Sequence, residues 1–304
     1  MTDKTTRQPI AVLVTDEDKA KLEKRDDKRA LRRFLRNRPA VIALGVLLII
    51  ILLTIGAPLI ERYRYDAIDL RARASPPNEL HWLGTDGVGR DVWSRLLNGG
   101  QVSLVVGFGA TLIATLIGTV LGALSGYYRG WVDMVIMRIT DVFMTFPSII
   151  IMLTLAAMLP RTVWTIVFII GGLSWTGTAR IVRSQVMSIR EQEYILACRA
   201  LGYTDGRIIT VHILPNVFGS LVALVTFAIG SAILTEAGLS FLGLGVPPPT
   251  PSWGNMLETA RNLDILRNLP WMWIPPAIML VITVLSVNFI GDGVRDAVDP
   301  RMVI

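Results

Sequence analysis

The side chains that most often do chemistry are scarce in this 304-residue sequence, and their spacing limits what it can do. Its five lysines, Lys4, Lys19, Lys21, Lys24 and Lys28, fall within the first 28 residues, and no Gly-Lys pair occurs. A phosphate-cradling loop needs G-x-x-x-x-G-K-[ST], in which backbone N–H groups and the lysine hold the phosphates. The chain therefore has no such loop of its own. Gly84-Thr-Asp-Gly-Val-Gly89 is glycine-rich but lacks the lysine and is weak as a nucleotide site. Two distant histidines, His81 and His212, disfavour a His-rich metal centre, and one cysteine, Cys198, rules out an internal disulfide framework. H-E-x-x-H, G-x-S-x-G and C-x-x-C are absent. No catalytic or metal-ligating set is assigned, and nothing argues for an enzyme.

The elements that must place the remaining charged residues belong to a membrane. Hydrophobic residues make up 52% of the chain and charged residues 18%, with a mean hydropathy of +0.53; a soluble domain of this size carries more charge. Charge is absent from six stretches, 39–60, 96–128, 142–160, 162–179, 213–235 and 268–291. At ~1.5 Å per residue each approaches or exceeds the roughly 30 Å of a hydrocarbon core. The shortest, 162–179, is followed by Arg180 and Arg183, whose long side chains can snorkel. Lipid supplies no hydrogen-bond partners, so such stretches must be helical. The expected fold is all-α with six transmembrane helices. It comprises a tail 1–38 with a short helix over 16–35, a first helix 39–60, an extracytoplasmic segment 61–95, a five-helix domain 96–292 and a tail 293–304. The 22-residue first block is too long for a signal-peptide core and reads as an uncleaved span.

Positive charge sets the orientation. With the N-terminus in the cytoplasm, 21 of the 30 Lys and Arg residues fall inside and nine outside, and an even span count places the C-terminus inside too. The cluster Arg29, Arg32, Arg33, Arg36 and Arg38 precedes the first span. The net charge of +6 fits anionic lipid better than nucleic acid.

The second span repeats small residues every fourth position, Ala110, Ala114, Gly118, Gly122 and Gly126, a stripe that lets helices approach closely in lipid. The third opens with Asp133, Arg138 and Asp141; the last two, three apart, share a helix face and suggest a structural ion pair. Pro147 should kink this span. The loop 180–212 is the longest inside connection, with a helical pattern ending at Gly202 and Thr204 or Asp205 as a new cap. Its five arginines would suit DNA phosphate, but a loop tethered between two spans is poorly placed to enter a groove; a protein partner fits better. Residues 236–267 form an outside loop containing Trp253, and Trp271 and Trp273 suit an interfacial belt at the last span. Ion-coupled transporters place ionisable groups near the bilayer midplane. Here the middle of every span lacks them, Asp141 being the deepest. That describes a pathway whose energy comes from a partner.

Glu193-Tyr-Ile-Leu-Ala-Cys-Arg-Ala-Leu-Gly202 followed by His212-Ile-Leu-Pro-Asn216 resembles the EAA signature of binding-protein-dependent ABC importer permeases. Ala197, Gly202, Leu214 and Pro215 match; Leu196, Cys198 and His212 depart. His81-Trp-Leu-Gly-Thr-Asp86 with Gly89-Arg-Asp91, Glu236 to Gly245, Ser252-Trp-Gly-Asn-Met256 and Gly291 to Pro300 are similar to the C-type permease of the oligopeptide and dipeptide branch. The resemblance implies the type I importer permease fold in a bacterial or archaeal cytoplasmic membrane. It also implies a related B-type permease as heterodimer partner, two cytoplasmic ATPase subunits that carry ATP and Mg, and an extracytoplasmic substrate-binding protein. Glu193, Ala197, Cys198, Gly202, Leu214 and Pro215 would form the ATPase-coupling loop. Sibling importers of nickel, opines or glutathione, or a non-transporting membrane scaffold, are the alternatives.

Overall fold

The computed structural model describes residues 31–298; the expected features over 1–30 and 299–304 lie outside them. Residues 31–36 are helical. Nine further helices carry the argument: α1 Arg38–Ile55, α2 Val92–Tyr128, α3 Gly130–Thr145, α4 Ser148–Met158, α5 Val163–Arg190, α6 Glu193–Ala200, α7 Leu214–Phe241, α8 Trp253–Glu258 and α9 Ile274–Val298. Five helices are long and apolar enough to cross a membrane, and α3 with α4 forms a bent pair that supplies a sixth crossing if taken as one span.

That third span is broken rather than continuous. Its arms meet at 80°. Pro147 has no N–H to donate and pushes Phe146 into an extended conformation, φ −92° and ψ 140°, so α3 must stop there. Several boundaries also move. α2 begins at Val92, not 96, because the Asp91 carboxylate accepts from the Ser94 backbone N–H and hydroxyl, both at 2.8 Å. The first span ends at Ile55, α5 runs on to Arg190, α7 reaches Phe241, and α9 continues through residues expected to be a tail.

α2 and α5 are the central pair. A Cβ built on Gly118 would lie 2.8 Å from the Trp175 carbonyl oxygen, one on Gly122 2.5 Å from that of Ala179, and one on Gly126 2.7 Å from that of Arg183. Any side chain there would push the backbones apart. α1 and α9 pack together on the other side of α7, and a core of Val92, Leu96, Ile233 and Trp253 joins α2, α7 and α8.

The two ends of the bundle differ. At one, residues 61–91 and the segment around α8 fold into a polar lobe, tied by Trp271 Nε1 donating to the Thr85 carbonyl at 3.3 Å. Trp253, expected within the outside loop, is fully buried there and donates Nε1–H to the Leu96 carbonyl at 3.0 Å. The other end carries the connection between α5 and α7.

Gly122→Val should lower the unfolding midpoint of the purified chain in mild detergent, at an overpacking cost of about 1–3 kcal/mol. Gly172→Ala, where a Cβ meets nothing within 4 Å, should leave the midpoint unchanged or raise it. An unchanged midpoint for the valine variant would show that α2 and α5 need no close approach.

Candidate functional site

The connection between α5 and α7 is held by the ends of three helices. Arg183 of α5 forks onto Asp133 of α3 at 2.5 and 2.6 Å, and Ser125 of α2 donates to the same carboxylate. Arg190, the last residue of α5, donates to the Tyr127 carbonyl at the end of α2. Arg129 pairs with Glu191 at 2.6 Å. Tyr127 is the buried hub: its hydroxyl donates to Asp205 at 2.6 Å, and the guanidinium of Arg199 lies 4.8 Å from its ring centre.

On this base sits α6. Ile195 is its one fully buried side chain, packed with Val186, Ile208 and Ile213. Glu193 lies in the first turn, where a carboxylate suits the helix dipole. Gly202 has φ +77°, a left-handed conformation that other residues adopt at a cost. Its N–H donates to the Arg199 carbonyl at 2.9 Å, and the Tyr203 N–H reaches back to Cys198 at 3.1 Å, closing the helix as a Schellman motif. A Cβ at Gly202 would meet nothing within 4 Å, so the requirement for glycine comes from the backbone alone. The other face of α6 and its turn is exposed and apolar: Leu196 is 50% and Leu201 74% accessible, with Tyr194 and Tyr203 beside them. Burial, then the neighbouring Cys198, holds the Tyr194 phenol above its ordinary pKa. Ala197 is exposed and Cys198 half-buried.

The chain then re-enters the bundle. Thr204 stands at the cap position but its side chain makes no capping bond, and Asp205 is engaged by Tyr127 instead. Ile208–Ile213 forms a π-helical turn just before Leu214 and Pro215 open α7. Proline's missing donor and its ring, which crowds the preceding turn, account for the widened register. Leu214 packs against the Ile195 cluster, and Asn216 Nδ2 reaches the Tyr194 hydroxyl at 3.5 Å. Glu193, Ala197, Cys198, Gly202, Leu214 and Pro215 thus share one end of the molecule, while Gly118, Gly122 and Gly126 lie along the α2–α5 seam.

The expected pair Arg138–Asp141 does not form. Asp141 is bonded to Arg180 of α5 at 2.6 Å, and Arg138 points outward from α3. The i, i+3 spacing was a local signal, and a partner on a packed neighbour won. Asp133–Arg183 and the Tyr127 hub left no local signal, since their partners lie 50 and 78 residues away. A further buried acid stands at the lobe end. Glu236 is fully inaccessible on α7, accepting from Ser103 at 3.0 Å and Ser240 at 2.7 Å, with no basic partner among the described residues. It lies one residue beyond the charge-free stretch 213–235, so hydropathy alone passed over it. Among the described residues no three His, Cys, Asp or Glu side chains converge as metal ligands.

The family described as "Binding-protein-dependent transport system inner membrane component" matches residues 118–304, and "N-terminal TM domain of oligopeptide transport permease C" matches residues 28–77. The chain belongs to the binding-protein-dependent inner membrane component family. It is similar to the oligopeptide transport system permease protein OppC of Bacillus subtilis, 38% identical across 90% of both chains. It is equally similar to the dipeptide transport system permease protein DppC of Alkalihalophilus pseudofirmus, at 39% over the same shares. A peptide permease protein of Brucella suis is 44% identical, again across 90% of each. The fold matches the inward-facing MetNI methionine ABC transporter with a TM-score of 0.53 at 19% identity, covering 67% of this chain and 96% of that one. A multi-pass membrane subunit of this family is what the span count and the matched families describe together.

Tyr127→Phe should cost the loop about 1 kcal/mol, the usual worth of one hydrogen bond. Hydrogen exchange of residues 199–210 in the purified chain should quicken, with exchange over α1 and α9 unchanged. Unaltered exchange in the loop would remove Tyr127 as its hub.

Proposed function

We propose that this chain is the C-type permease subunit of an ATP-binding-cassette importer for peptides, and that the α6 loop is its seat on the ATPase. The observation that carries the reading is the exposed apolar face of Leu196, Leu201, Tyr194 and Tyr203, on a rigid base outside the long spans. Apolar side chains beyond the hydrocarbon have neither lipid nor protein to cover them in this chain, which fits a protein partner. Alanine and glycine between them permit a close approach. The relatives named for oligopeptide and dipeptide transport support peptides as the cargo. In this reading two cytoplasmic ATPase subunits hold ATP and Mg, a B-type permease pairs with this chain in the membrane, and an extracytoplasmic binding protein delivers the peptide to the lobe.

The structural logic follows from the links at the loop. α6 is tied to α2 through Tyr127, which meets Arg199 and Asp205, and rests on α5 through Ile195 and Val186, while Arg190 and the Arg129–Glu191 pair lock α2 to α5. A shift of α6 as the ATPases close would therefore be passed to the two central helices together, the kind of rigid-body change that alternating access needs.

The orientation that places α6 in the cytoplasm rests on the charge distribution. Reporter fusions after Gly202 should read cytoplasmic and fusions after Pro249 extracytoplasmic; a cytoplasmic signal after Pro249 would reverse the assignment. The function is tested in vesicles containing the assembled importer, which should accumulate peptide only with ATP. Gly202→Val should insert normally, because its side chain meets open space. It carries a left-handed strain of about 1–2 kcal/mol, and should either lose the ATPase subunits or hydrolyse ATP without uptake. ATP-driven uptake at the unsubstituted rate, at matched expression, would remove α6 as the coupling element.

A further inference from the structure

We infer that the loop-side half of α5, together with the Asp141–Arg180 pair, lines a water-filled passage for the transported peptide. This rests on the permease reading above and adds to it the surface along which the cargo moves.

The exposed faces of the long helices are of two kinds. On α2, Phe108, Leu112, Leu116 and Val120 recur every fourth residue or so, and all are exposed. A stripe so uniformly apolar suits hydrocarbon. On α5 the exposed residues after the first three turns are Ser174, Gly177, Ile181, Ser184 and Ser188, with Arg180 at their edge. Their spacing of three and four keeps them on a single face. The large apolar residues Trp164 and Phe168 of α5 lie on a different face nearer the lobe end, and Ile181 is the one exposed large apolar side chain within the stripe. Hydroxyls recur along this stripe, while the hydrocarbon-type face of α2 has none among those four positions.

Beside the stripe lies a charged pair. Arg180 and Asp141 are bonded at 2.6 Å, yet their side chains remain 46% and 53% exposed. Counted along the helices, Arg180 is ten residues from the loop end of α5 and Asp141 eleven from the start of α3. At ~1.5 Å per residue both lie roughly 15 Å from those ends. The other basic side chains of this half of α5 are directed into the protein, Arg183 to Asp133 and Arg190 to the Tyr127 carbonyl. Arg180 directly follows the charge-free stretch 162–179, and a half-exposed ion pair bordering the apolar zone is disfavoured against lipid and faces a cavity or water instead. Water and a peptide in transit are the occupant that fits. The stripe offers hydroxyls to peptide amides, and the pair presents one charge of each sign, so neither peptide terminus meets uncompensated repulsion.

The test is thiol accessibility in vesicles carrying the complete importer, in both membrane orientations. Single substitutions Ser174→Cys, Gly177→Cys and Ser184→Cys are compared with Leu112→Cys and Leu116→Cys, using a membrane-impermeant methanethiosulfonate. The two serine changes are close to isosteric, and a Cβ at Gly177 meets nothing within 4 Å. The native Cys198, measured in the unsubstituted importer, sets the background. The reactive species is the thiolate, which hydrocarbon suppresses, so the α5 positions should react at least about tenfold faster than the α2 positions. An excess of the peptide that the vesicles accumulate should slow them. Labelling on α5 as slow as on α2 in both orientations, or labelling that the peptide does not slow, would overturn the inference while uptake leaves the permease reading standing. Assembled vesicles that import no peptide would instead overturn that reading.

Discussion

The close contact of α2 with α5 is the constraint on which the rest of this structure depends. Three glycines let two long helices pack with backbone against backbone, and every element at either end takes its position from that pair. In lipid no hydrophobic effect pulls helices together, so the attraction must come from close packing and from polar groups meeting across the seam. Both are present: glycines along the middle, then Ser125, Asp133, Arg183, Tyr127 and Arg190 where the helices leave the apolar zone.

Polar groups inside the bundle are treated differently at its two ends. At the loop end, charges are paired across helices and satisfied by carbonyls, which fixes α3, α5 and α6 relative to α2. At the lobe end Asp86 is paired with Arg90 and Arg95, but the fully buried Glu236 is met by hydroxyls rather than by a cation. Ser103, which donates to it, also accepts from the Trp253 N–H at 3.2 Å. The same small group thereby ties α2, α7 and α8 together and seats the indole of Trp253 in the core. A buried acid without a counter-charge is costly unless it is hydrogen-bonded, and the serines meet that need.

Between these ends the chain offers little of its own to cover α3 and α4. Thr140 is the one fully buried side chain of α3 among the described residues, and Met152 and Ala156 those of α4. Both helices touch the central pair along a narrow seam, through Asp133 and Asp141 of α3 and Met152 and Ala156 of α4, and the rest of their surface is left to lipid, water or another subunit. A subunit of a larger membrane assembly is expected to look unfinished in this way.

The sequence by itself determined the number and approximate limits of the apolar helices, because a charge-free stretch of the right length has no other stable form in lipid. It also determined the break at Pro147, the glycine seam and the end of α6 at Gly202, since each follows from the covalent character of one residue type and its neighbours. The family was legible in short ordered motifs. What it left open is every partnership across sequence distance. Asp141 found Arg180 rather than Arg138, Asp205 was drawn to Tyr127 rather than capping its own helix, and Trp253 of the outside loop took a place in the core. Local spacing states which partners a residue can reach within its own helix. Which partner it takes depends on how the helices pack, and only the tertiary structure decides that, because a buried charge or indole is stabilised by whatever complementary group the packed neighbours bring within bonding distance.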